Sequence, residues 1–405
     1  MECYLDNSAT TRVSDSVIKA VTKVMSQDFG NPSSKHMKGV ESENYLKNAR
    51  ETISKILKIN EKEIVFTSGG TESNNLALIG YAMANLRSGR HIITTAIEHS
   101  SVKEALKYLS EMKLSEDIDP EKKGFEITYL EVDSKGHINL DELKNAIRKD
   151  TILVSTMMVN NEIGAVQDVA IIGKIIKENN PNCAYHIDAI QAFGKYEIYP
   201  KKWNVDMLSV SAHKLHGPKG VGFLYINEKI KVKPLILGGG QQKGMRSGTD
   251  NVPGVAGLAT CAKDAYDNLE KNVTSMIKVK NELIDGLNAL ANEESVKESE
   301  CKIVINSFKD LESAPQIVSA TFSPVKSEVL LHALEEKGIY VSSGSACSSN
   351  KPGLSGTLQS IGLTAAQADC TLRFSFCKDT TGEEIKYTLE QLKEILPVLA
   401  KFVSR

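Results

Sequence analysis

Hydrophobic residues fall into short runs of strand length that alternate with longer amphipathic segments over roughly the first 260 residues. Seven runs predict strands, at 63–67, 91–95, 126–130, 152–158, 184–187, 207–210 and 222–226. Helix-length amphipathic segments lie between them, for example at 71–86 and 168–179. This alternation predicts an α/β fold built on a mostly parallel, buried sheet.

The pattern changes after about residue 260. A charged helical stretch is predicted at 262–297, and a final helix at about 381–403. Four short runs between them predict further strands, at 303–307, 317–322, 339–342 and 371–376. We therefore expect a larger domain over residues 15–260 and a smaller α+β domain that combines residues 1–14 with residues 261–405.

Composition and charge exclude several classes of protein. The 405 residues carry 49 basic and 51 acidic side chains, a balance that gives no reason to expect nucleic-acid or membrane binding. The sequence shows neither a signal-peptide pattern nor an apolar run of transmembrane length. The seven cysteines are dispersed without Cys-x-x-Cys spacing, which favours a reducing compartment over disulfides or a zinc site. We expect a cytoplasmic protein without a metal site, and a charged surface loop at 113–124.

Polar residues that follow the predicted strands are the candidates for function, because such a sheet binds ligands beyond the carboxyl ends of its strands. In "TSGGTESNNLAL" (67–78), two glycines precede a helix that is predicted to begin at Thr71 or Glu72. Glycines allow close backbone approach, and a helix N-terminus favours an anion. One interpretation is therefore a phosphate site to which Thr71 adds a hydroxyl. The other is an ordinary glycine-rich turn with a helix cap.

Asp188 and Gln191 follow another run, in "YHIDAIQAFG" (185–194). A buried carboxylate is costly unless it is paired, and the protonated pyridine nitrogen of pyridoxal 5'-phosphate (PLP) is a suitable partner. Gln191 is placed to reach the same ligand from the following turn. A cap on the next helix is the alternative role for Asp188.

Lys214 follows the run at 207–210, in "SAHKLHGPKG". A desolvated lysine has a lowered pKa and becomes a nucleophilic amine, which reacts with the aldehyde of PLP. Ser211 and His213 flank it and could face the cofactor's phosphate. A surface lysine in a loop is the alternative. The succession of phosphate site, strand-end aspartate and strand-end lysine favours the catalytic interpretation.

Two further strand ends carry polar residues. "TTAIEHSSV" (94–102) places His99 at the start of a helix, where it could stack on a flat ring and move protons. "VNNEIGAV" (159–166) offers Asn160 and Asn161. Each of these side chains also has an ordinary structural interpretation.

Taken together, the motifs resemble those of the cysteine desulfurases in identity and order, from near residue 4 to near residue 395. That family consists of PLP-dependent homodimers of fold type I, within the class V aminotransferase group. The matching motifs are "YLDNSATT" (4–11), "FGNPSS" (29–34), "TSGGTESNN" (67–75), "EHSSV" (98–102), "VNNEIG" (159–164), "DAIQ" (188–191), "SAHKLHGPKG" (211–220), "RSGTDNVPG" (246–254), "SSGSACSS" (342–349) and "RFSF" (373–376).

The resemblance implies a role for each candidate position. Lys214 would hold PLP covalently and share catalysis with Cys347 and His99. Asn161 and Arg373 would bind the substrate carboxylate, which the planar fork of arginine suits, and Asn161 would also contact the cofactor. Three other residues would contact the ring of the cofactor: Asp188 at the pyridine nitrogen, Gln191 at the ring hydroxyl, and His99 stacked on the ring face. The phosphate would be bound by Gly70, Thr71, Ser211 and His213. Thr249 would reach the phosphate in the neighbouring subunit's site.

Cys347 is the residue that distinguishes this activity from other chemistry of the same fold. Glycine, serine and lysine around it predict an exposed position, and a catalytic cysteine reacts as the thiolate. The resemblance implies that L-cysteine leaves its sulfur on Cys347 as a persulfide and departs as L-alanine. An acceptor protein of unknown identity would then take the sulfur for iron–sulfur cluster, thio-cofactor or tRNA biosynthesis.

Alternatives remain at this point. The segment after Cys347 has the length of the long-loop desulfurases, but residues 352–355 replace their usual Leu-Glu-Pro-Ser, which leaves the acceptor open. A selenocysteine lyase or another class V PLP aminotransferase or lyase would share most of these motifs. A non-catalytic partner protein with the same fold is the remote alternative.

Overall fold

The computed structural model describes residues 1–114, 123–343 and 355–403, and Cys347 and most of the predicted 113–124 loop lie outside these ranges. The strands are β1 Cys3–Tyr4, β2 Ile64–Thr67, β3 His91–Thr95, β4 Glu126–Leu130, β5 Thr151–Met157, β6 Ala184–Asp188, β7 Met207–Ser211, β8 Gly222–Ile226, β9 Lys302–Ile305, β10 Ile317–Ser323, β11 Ile339–Tyr340, β12 Ser342–Ser343 and β13 Thr371–Ser375.

The α-helices of the same ranges are α1 Asp15–Ser26, α2 Met37–Leu57, α3 Gly70–Asn75, α4 Tyr81–Ala84, α5 Ser100–Glu111, α6 Leu140–Ala146, α7 Val169–Asn179, α8 Val252–Asp267, α9 Leu269–Leu290, α10 Glu294–Glu298, α11 Ser327–Glu335, α12 Gly356–Ser360, α13 Ala365–Ala368 and α14 Gly382–Val403. A π-helical segment, Leu76–Gly80, joins α3 to α4. In the described part of the chain, every helix is too short or too polar to span a bilayer.

A seven-stranded sheet forms the larger layer, in the order β2-β8-β7-β6-β5-β3-β4. Only β8 runs antiparallel to its neighbours, β2 and β7, so the mostly parallel sheet predicted from the sequence is confirmed. Strands β5 to β8 are buried along their whole length because helices cover both faces, which explains their continuous apolar composition. The parallel arrangement brings the ends of β2, β3, β5, β6 and β7 to one edge of the sheet.

A second, antiparallel sheet has the order β12-β13-β10-β9, and β1 pairs in parallel with β11 beside it. The core of this unit runs from Val279 to Ala400 and also contains Cys3 and Leu5 from the start of the chain. The first residues therefore pack with the C-terminal third of the sequence. The long α14 helix covers α9 and closes this core.

Two predicted elements differ from the observed structure. The single helical stretch expected at 262–297 is wrong: α8 ends at Asp267, and α9 and α10 follow as separate helices. Asn268 adopts φ −121° and ψ 21°, a non-helical conformation that asparagine readily takes because its side chain competes for backbone hydrogen bonds. The predicted strand 339–342 divides into β11 and β12, which pair in different sheets.

Gly222 allows β8 to approach the turn that begins the α3 helix. A Cβ atom at this position would lie 2.3 Å from the carbonyl oxygen of Val210 and 2.9 Å from Cα of Gly69. Gly69 itself has φ 143°, a conformation that L-residues rarely adopt. Because Gly69 and Gly222 have no side chains, the start of α3 can lie directly beside the end of β7.

Gly222→Ala is expected to destabilise the protein by about 1–3 kcal/mol, because the backbone must move to admit the methyl group. The urea unfolding midpoint, followed by circular dichroism, measures this loss. Gly356→Ala is the matched control, since within the described ranges its Cβ would contact only Nζ of Lys103 at 3.7 Å and alanine is favoured in a helix. Equal midpoints for the two variants would contradict the close approach at β8.

Candidate active site

A cavity of about 500 Å³ lies at the edge where the parallel strands end. Residues from both sheets line it, together with Asp6, Ser8 and Ala9 from the start of the chain. It brings together ten of the residues singled out from the sequence: Gly70, Thr71, His99, Asn161, Asp188, Gln191, Ser211, His213, Lys214 and Arg373.

Two candidates are not among these residues. Thr249 is exposed on the surface of the single chain and does not line the cavity. Cys347 lies outside the described residues. The proposed roles of both therefore stay predictions.

Lys214 lies in a short 3₁₀ turn, Ala212–Lys214, that directly follows β7. Its Nζ donates hydrogen bonds to the carbonyl oxygens of Ser8 at 2.5 Å and Ala9 at 2.7 Å. Its own carbonyl oxygen accepts a hydrogen bond from Nζ of Lys195 at 3.0 Å. The amine is thus held at the cavity by backbone groups of the N-terminal segment.

Asp188 is the last residue of β6 and is 2 % exposed. Its carboxylate accepts hydrogen bonds from the backbone N–H of Ile190 at 3.0 Å and from the amide of Asn74 at 2.8 Å. Burial raises the pKa of Asp188, although His99 and Lys214, in their protonated forms, would act in the opposite direction. A cationic ligand in the cavity would stabilise the carboxylate that burial disfavours.

His99 caps α5 and faces the same cavity. Its Nδ1 accepts a hydrogen bond from the backbone N–H of Ser101 at 3.1 Å, so the neutral ring carries its proton on Nε2. Burial lowers the pKa of His99, and Lys214 adds to this effect, while Asp188 opposes it. The result is a neutral, oriented imidazole suited to stacking on a flat ring.

Asn74 joins these two groups, and the sequence motifs had not singled it out. Its amide nitrogen donates to Oδ2 of Asp188 at 2.8 Å and to Oγ of Ser101 at 2.8 Å. Oγ of Ser101 in turn lies 2.8 Å from Nδ1 of His99. One buried side chain therefore fixes both the carboxylate and the imidazole.

The opposite end of the cavity is suited to a phosphate. The helix that starts at Gly70 presents its first N–H groups there, beside the hydroxyls of Thr71 and Ser211. Burial and the charge of Lys214 lower the pKa of His213 to about 4, so its ring is neutral at pH 7 and can donate a hydrogen bond. Packing also favours glycine at position 70, because a Cβ atom there would lie 2.1 Å from Cδ1 of Ile190.

Arg373 projects into the cavity from β13 and is 5 % exposed. One terminal nitrogen donates to Oδ1 of Asp6 at 2.7 Å and the other to the carbonyl oxygen of Asn161 at 3.0 Å. Its Nε is buried without a hydrogen-bond partner among the described residues. The two bonded terminal nitrogens therefore orient the guanidinium at the cavity.

The comparisons with known proteins agree with this geometry. The sequence matches the aminotransferase class-V family over residues 3–388. The chain belongs to this family. It is 41 % identical to the cysteine desulfurase IscS of Methanosarcina thermophila over 98 % of this chain and 92 % of that protein. The corresponding protein of Clostridium botulinum is 39 % identical over 98 % and 94 %.

Solved structures give the same result. A NifS-like protein superimposes with a TM-score of 0.87 at 38 % identity, covering 98 % of this chain and all of the other. SspA, solved in complex with cysteine, superimposes with a TM-score of 0.74 at 32 % identity, covering 92 % of this chain and 98 % of that one. These neighbours confirm the fold-type I architecture expected from the sequence.

The class-V family is one of PLP-dependent enzymes, and the cavity fits this cofactor. At one end, the buried carboxylate of Asp188 accepts hydrogen bonds from two neutral donors, an amide and a backbone N–H. A protonated pyridine nitrogen would add the cation that a buried carboxylate needs. At the other end a helix N-terminus is suited to the phosphate. The amine of Lys214 lines the same cavity.

Glu98 is a second buried acid, next to the cavity-lining His99, that sequence reasoning missed. Its Oε1 accepts hydrogen bonds from Oγ1 of Thr95 at 2.7 Å and from the backbone N–H of Met157 at 2.8 Å. Its Oε2 is buried without a partner among the described residues. Burial, with a contribution from Asp188, raises the pKa of Glu98 to about 8, so the side chain is protonated at pH 7.

Asn74→Ala is expected to lower the free energy of unfolding by about 1–3 kcal/mol, because buried oxygens of Asp188 and Ser101 lose their donor. The loss should be larger at alkaline than at acidic pH, since the missing hydrogen bond stabilises the charged form of Asp188. Thermal unfolding across a pH series measures both effects. Asn75→Ala, which removes only a donor to the carbonyl of Thr71, should change stability by less than about 0.5 kcal/mol. A pH-independent loss would contradict the role given to Asn74.

Glu98→Gln is expected to remove part of the pH dependence of stability. In the unfolded chain this carboxyl ionises near its ordinary pKa of 4.5, whereas the folded protein retains the proton until about pH 8. The folded wild type therefore loses stability as the pH rises between these two values, and the uncharged glutamine does not. Urea unfolding at pH 5 and pH 9 compares the two proteins. Glu104→Gln, on the exposed side of α5, should behave as the wild type.

Proposed function

We propose that the protein is a cysteine desulfurase, which converts L-cysteine to L-alanine and transfers the sulfur to Cys347. The observation that carries this proposal is the presence of Lys214, Asp188, His99 and Arg373 in a single cavity. Relatives named cysteine desulfurase at 37–41 % identity over nearly the whole chain support it. A structural neighbour with bound cysteine supports the choice of substrate.

Cofactor binding divides between the two ends of the cavity. Asp188 would hold the pyridine nitrogen, Gln191 the ring hydroxyl, and His99 the face of the ring. Gly70, Thr71, Ser211 and His213 would hold the phosphate. When bound, PLP supplies an electron sink for the pair released from the Cα–H bond of the substrate.

Arg373 and Asn161 provide the substrate site. The contacts to Asp6 and to the carbonyl of Asn161 fix the plane of the guanidinium, whose terminal nitrogens each carry a second N–H that would donate to the carboxylate of L-cysteine. A charge-assisted hydrogen bond of this kind is about twice as strong as a neutral one. Because Arg373 comes from the small sheet, this contact would orient the substrate across the two units of the chain.

Proton transfer falls to Lys214 and His99. The carbonyls of Ser8 and Ala9 hold Nζ of Lys214 at the cavity, where the amine would accept the proton from the substrate Cα. Burial keeps the imidazole of His99 neutral, and Asn74 and Ser101 fix its orientation. Its Nε2 proton is therefore directed away from the backbone and available to the ligand.

The sulfur transfer follows from Cys347. Its thiolate attacks the substrate sulfur, the Cβ–S bond breaks, and the electron pair and a proton remain on carbon to give L-alanine. The balanced reaction is L-cysteine plus the Cys347 thiol, giving L-alanine plus the Cys347 persulfide. An acceptor protein then removes the outer sulfur for iron–sulfur cluster, thio-cofactor or tRNA biosynthesis.

We also infer that the working form is a homodimer. Thr249 is exposed and lies outside the cavity of its own chain, which is consistent with a hydroxyl that reaches the phosphate site of a second copy. Asp250 next to it accepts a hydrogen bond from Gln242, so the turn that carries Thr249 is held in place.

PLP-loaded wild type is expected to form alanine and reducible sulfur from L-cysteine in equal amounts. Lys214→Ala should lose covalent PLP and all activity. Cys347→Ser should remain yellow, bind L-cysteine with a spectral change, and form less than about 1 % of the products, since removing a catalytic nucleophile costs several orders of magnitude.

Cys370→Ser is the matched control, because this cysteine is buried and does not line the cavity. Full activity of Cys347→Ser would overturn the sulfur-transfer role and favour another class V aminotransferase or lyase. Selenium release from selenocysteine without turnover of L-cysteine would instead favour a selenocysteine lyase.

A further inference from the structure

His216, Cys377 and Asp379 meet at a second cavity, of about 400 Å³, which also contacts Lys214. One ring nitrogen, the thiol sulfur and a carboxylate oxygen all lie within 4.8 Å of one another. The three residues come from two distant parts of the chain, since His216 follows β7 whereas Cys377 and Asp379 follow β13. Nothing in the proposed desulfurase chemistry uses them.

A backbone carbonyl holds the imidazole of His216 in one tautomer. Its Nδ1 lies 2.9 Å from the carbonyl oxygen of Arg12. A carbonyl only accepts, so Nδ1 is the donor and the lone pair of the neutral ring is on Nε2. Metal-binding histidines are oriented in the same way, by a hydrogen bond from the other ring nitrogen.

The sulfur and oxygen ligands are accessible. Cys377 is partly exposed, whereas the other cysteines in the described ranges are buried. Its sulfur accepts a hydrogen bond from Oγ1 of Thr380, at 3.8 Å. The carboxylate of Asp379 is paired with Nζ of Lys378 at 2.9 Å, and both side chains are substantially solvent-accessible. Exchanging this surface pair for a metal bond costs little, because exposed ion pairs contribute little to stability.

We propose that His216, Cys377 and Asp379 form a binding site for a divalent zinc-class metal ion. One imidazole, one thiolate and one carboxylate are ligands that zinc accepts, and three protein ligands leave the fourth tetrahedral position to water. A metal site was not expected from the sequence because its cysteines are not closely spaced. These three ligands come from two distant parts of the sequence and are brought together only by the fold. The bound ion would join the turn that carries Lys214 to the strand that carries Arg373.

The test uses full-length, PLP-loaded protein with the Cys347→Ser substitution, so that this thiol cannot contribute a ligand. Zinc is the probe, and its affinity is measured by competition with a chromophoric chelator. We expect one zinc ion per chain. X-ray absorption at the zinc edge should show one sulfur neighbour at about 2.3 Å and nitrogen or oxygen neighbours at about 2.0–2.2 Å.

Cys377→Ser and Asp379→Asn should each weaken zinc binding, the former by more than about 100-fold, which exceeds the usual effect of residues that only support a ligand. Zinc should also raise the unfolding temperature of the parent protein and not that of Cys377→Ser. Asp379 is exposed, so its variant keeps the fold and remains informative if Cys377→Ser is unstable. His332→Asn, which removes an exposed histidine paired with Glu335, should bind zinc as the parent does.

Zinc affinity that is unchanged in both Cys377→Ser and Asp379→Asn would overturn the proposal. A zinc spectrum without a sulfur neighbour would also overturn it. Neither result would bear on the proposed desulfurase activity, which is measured separately on the protein that retains Cys347.

Discussion

The burial of one carboxylate, that of Asp188 at the end of a central strand, organises the catalytic half of the molecule. A charged group in this position is unfavourable unless neighbouring donors and a cation compensate for the lost water. The fold supplies the donors through a backbone N–H and the amide of Asn74. It leaves the cation to the ligand, and a protonated ring nitrogen would supply it.

The guanidinium of Arg373 lines the same cavity as the carboxylate of Asp188 but comes from the other sheet. It is tied to Asp6 from the start of the chain and to the backbone beside Asn161 in the large unit. Glu162, the next residue, accepts a hydrogen bond from the hydroxyl of Ser355, which also caps α12. Arg373 is therefore surrounded by contacts that connect both sheets, so its orientation depends on the relative placement of the two units.

Much of this arrangement could be predicted from the sequence. Lys214, Asp188 and His99 were identifiable because each follows a short apolar run, and parallel strands bring such positions to one edge. Asn74 and Ser101 were not, since a polar residue on a helix gives no sign of the partner it meets. Asp6 was missed as a partner of Arg373 because the two are 367 residues apart. The break at Asn268 was hidden for a local reason, as neither glycine nor proline marks it.

The N-terminal segment has a consequence for how the protein is made. Its first strand pairs with β11, its Asp6 pairs with Arg373, and its backbone holds the amine of Lys214. These partners leave the ribosome long after residues 1–10, because synthesis proceeds from the N-terminus. A growing chain thus has the strands of the large sheet before it has β11 and Arg373, the C-terminal partners of its first residues. The cavity therefore gains Arg373 only after β13 has been made, late in synthesis.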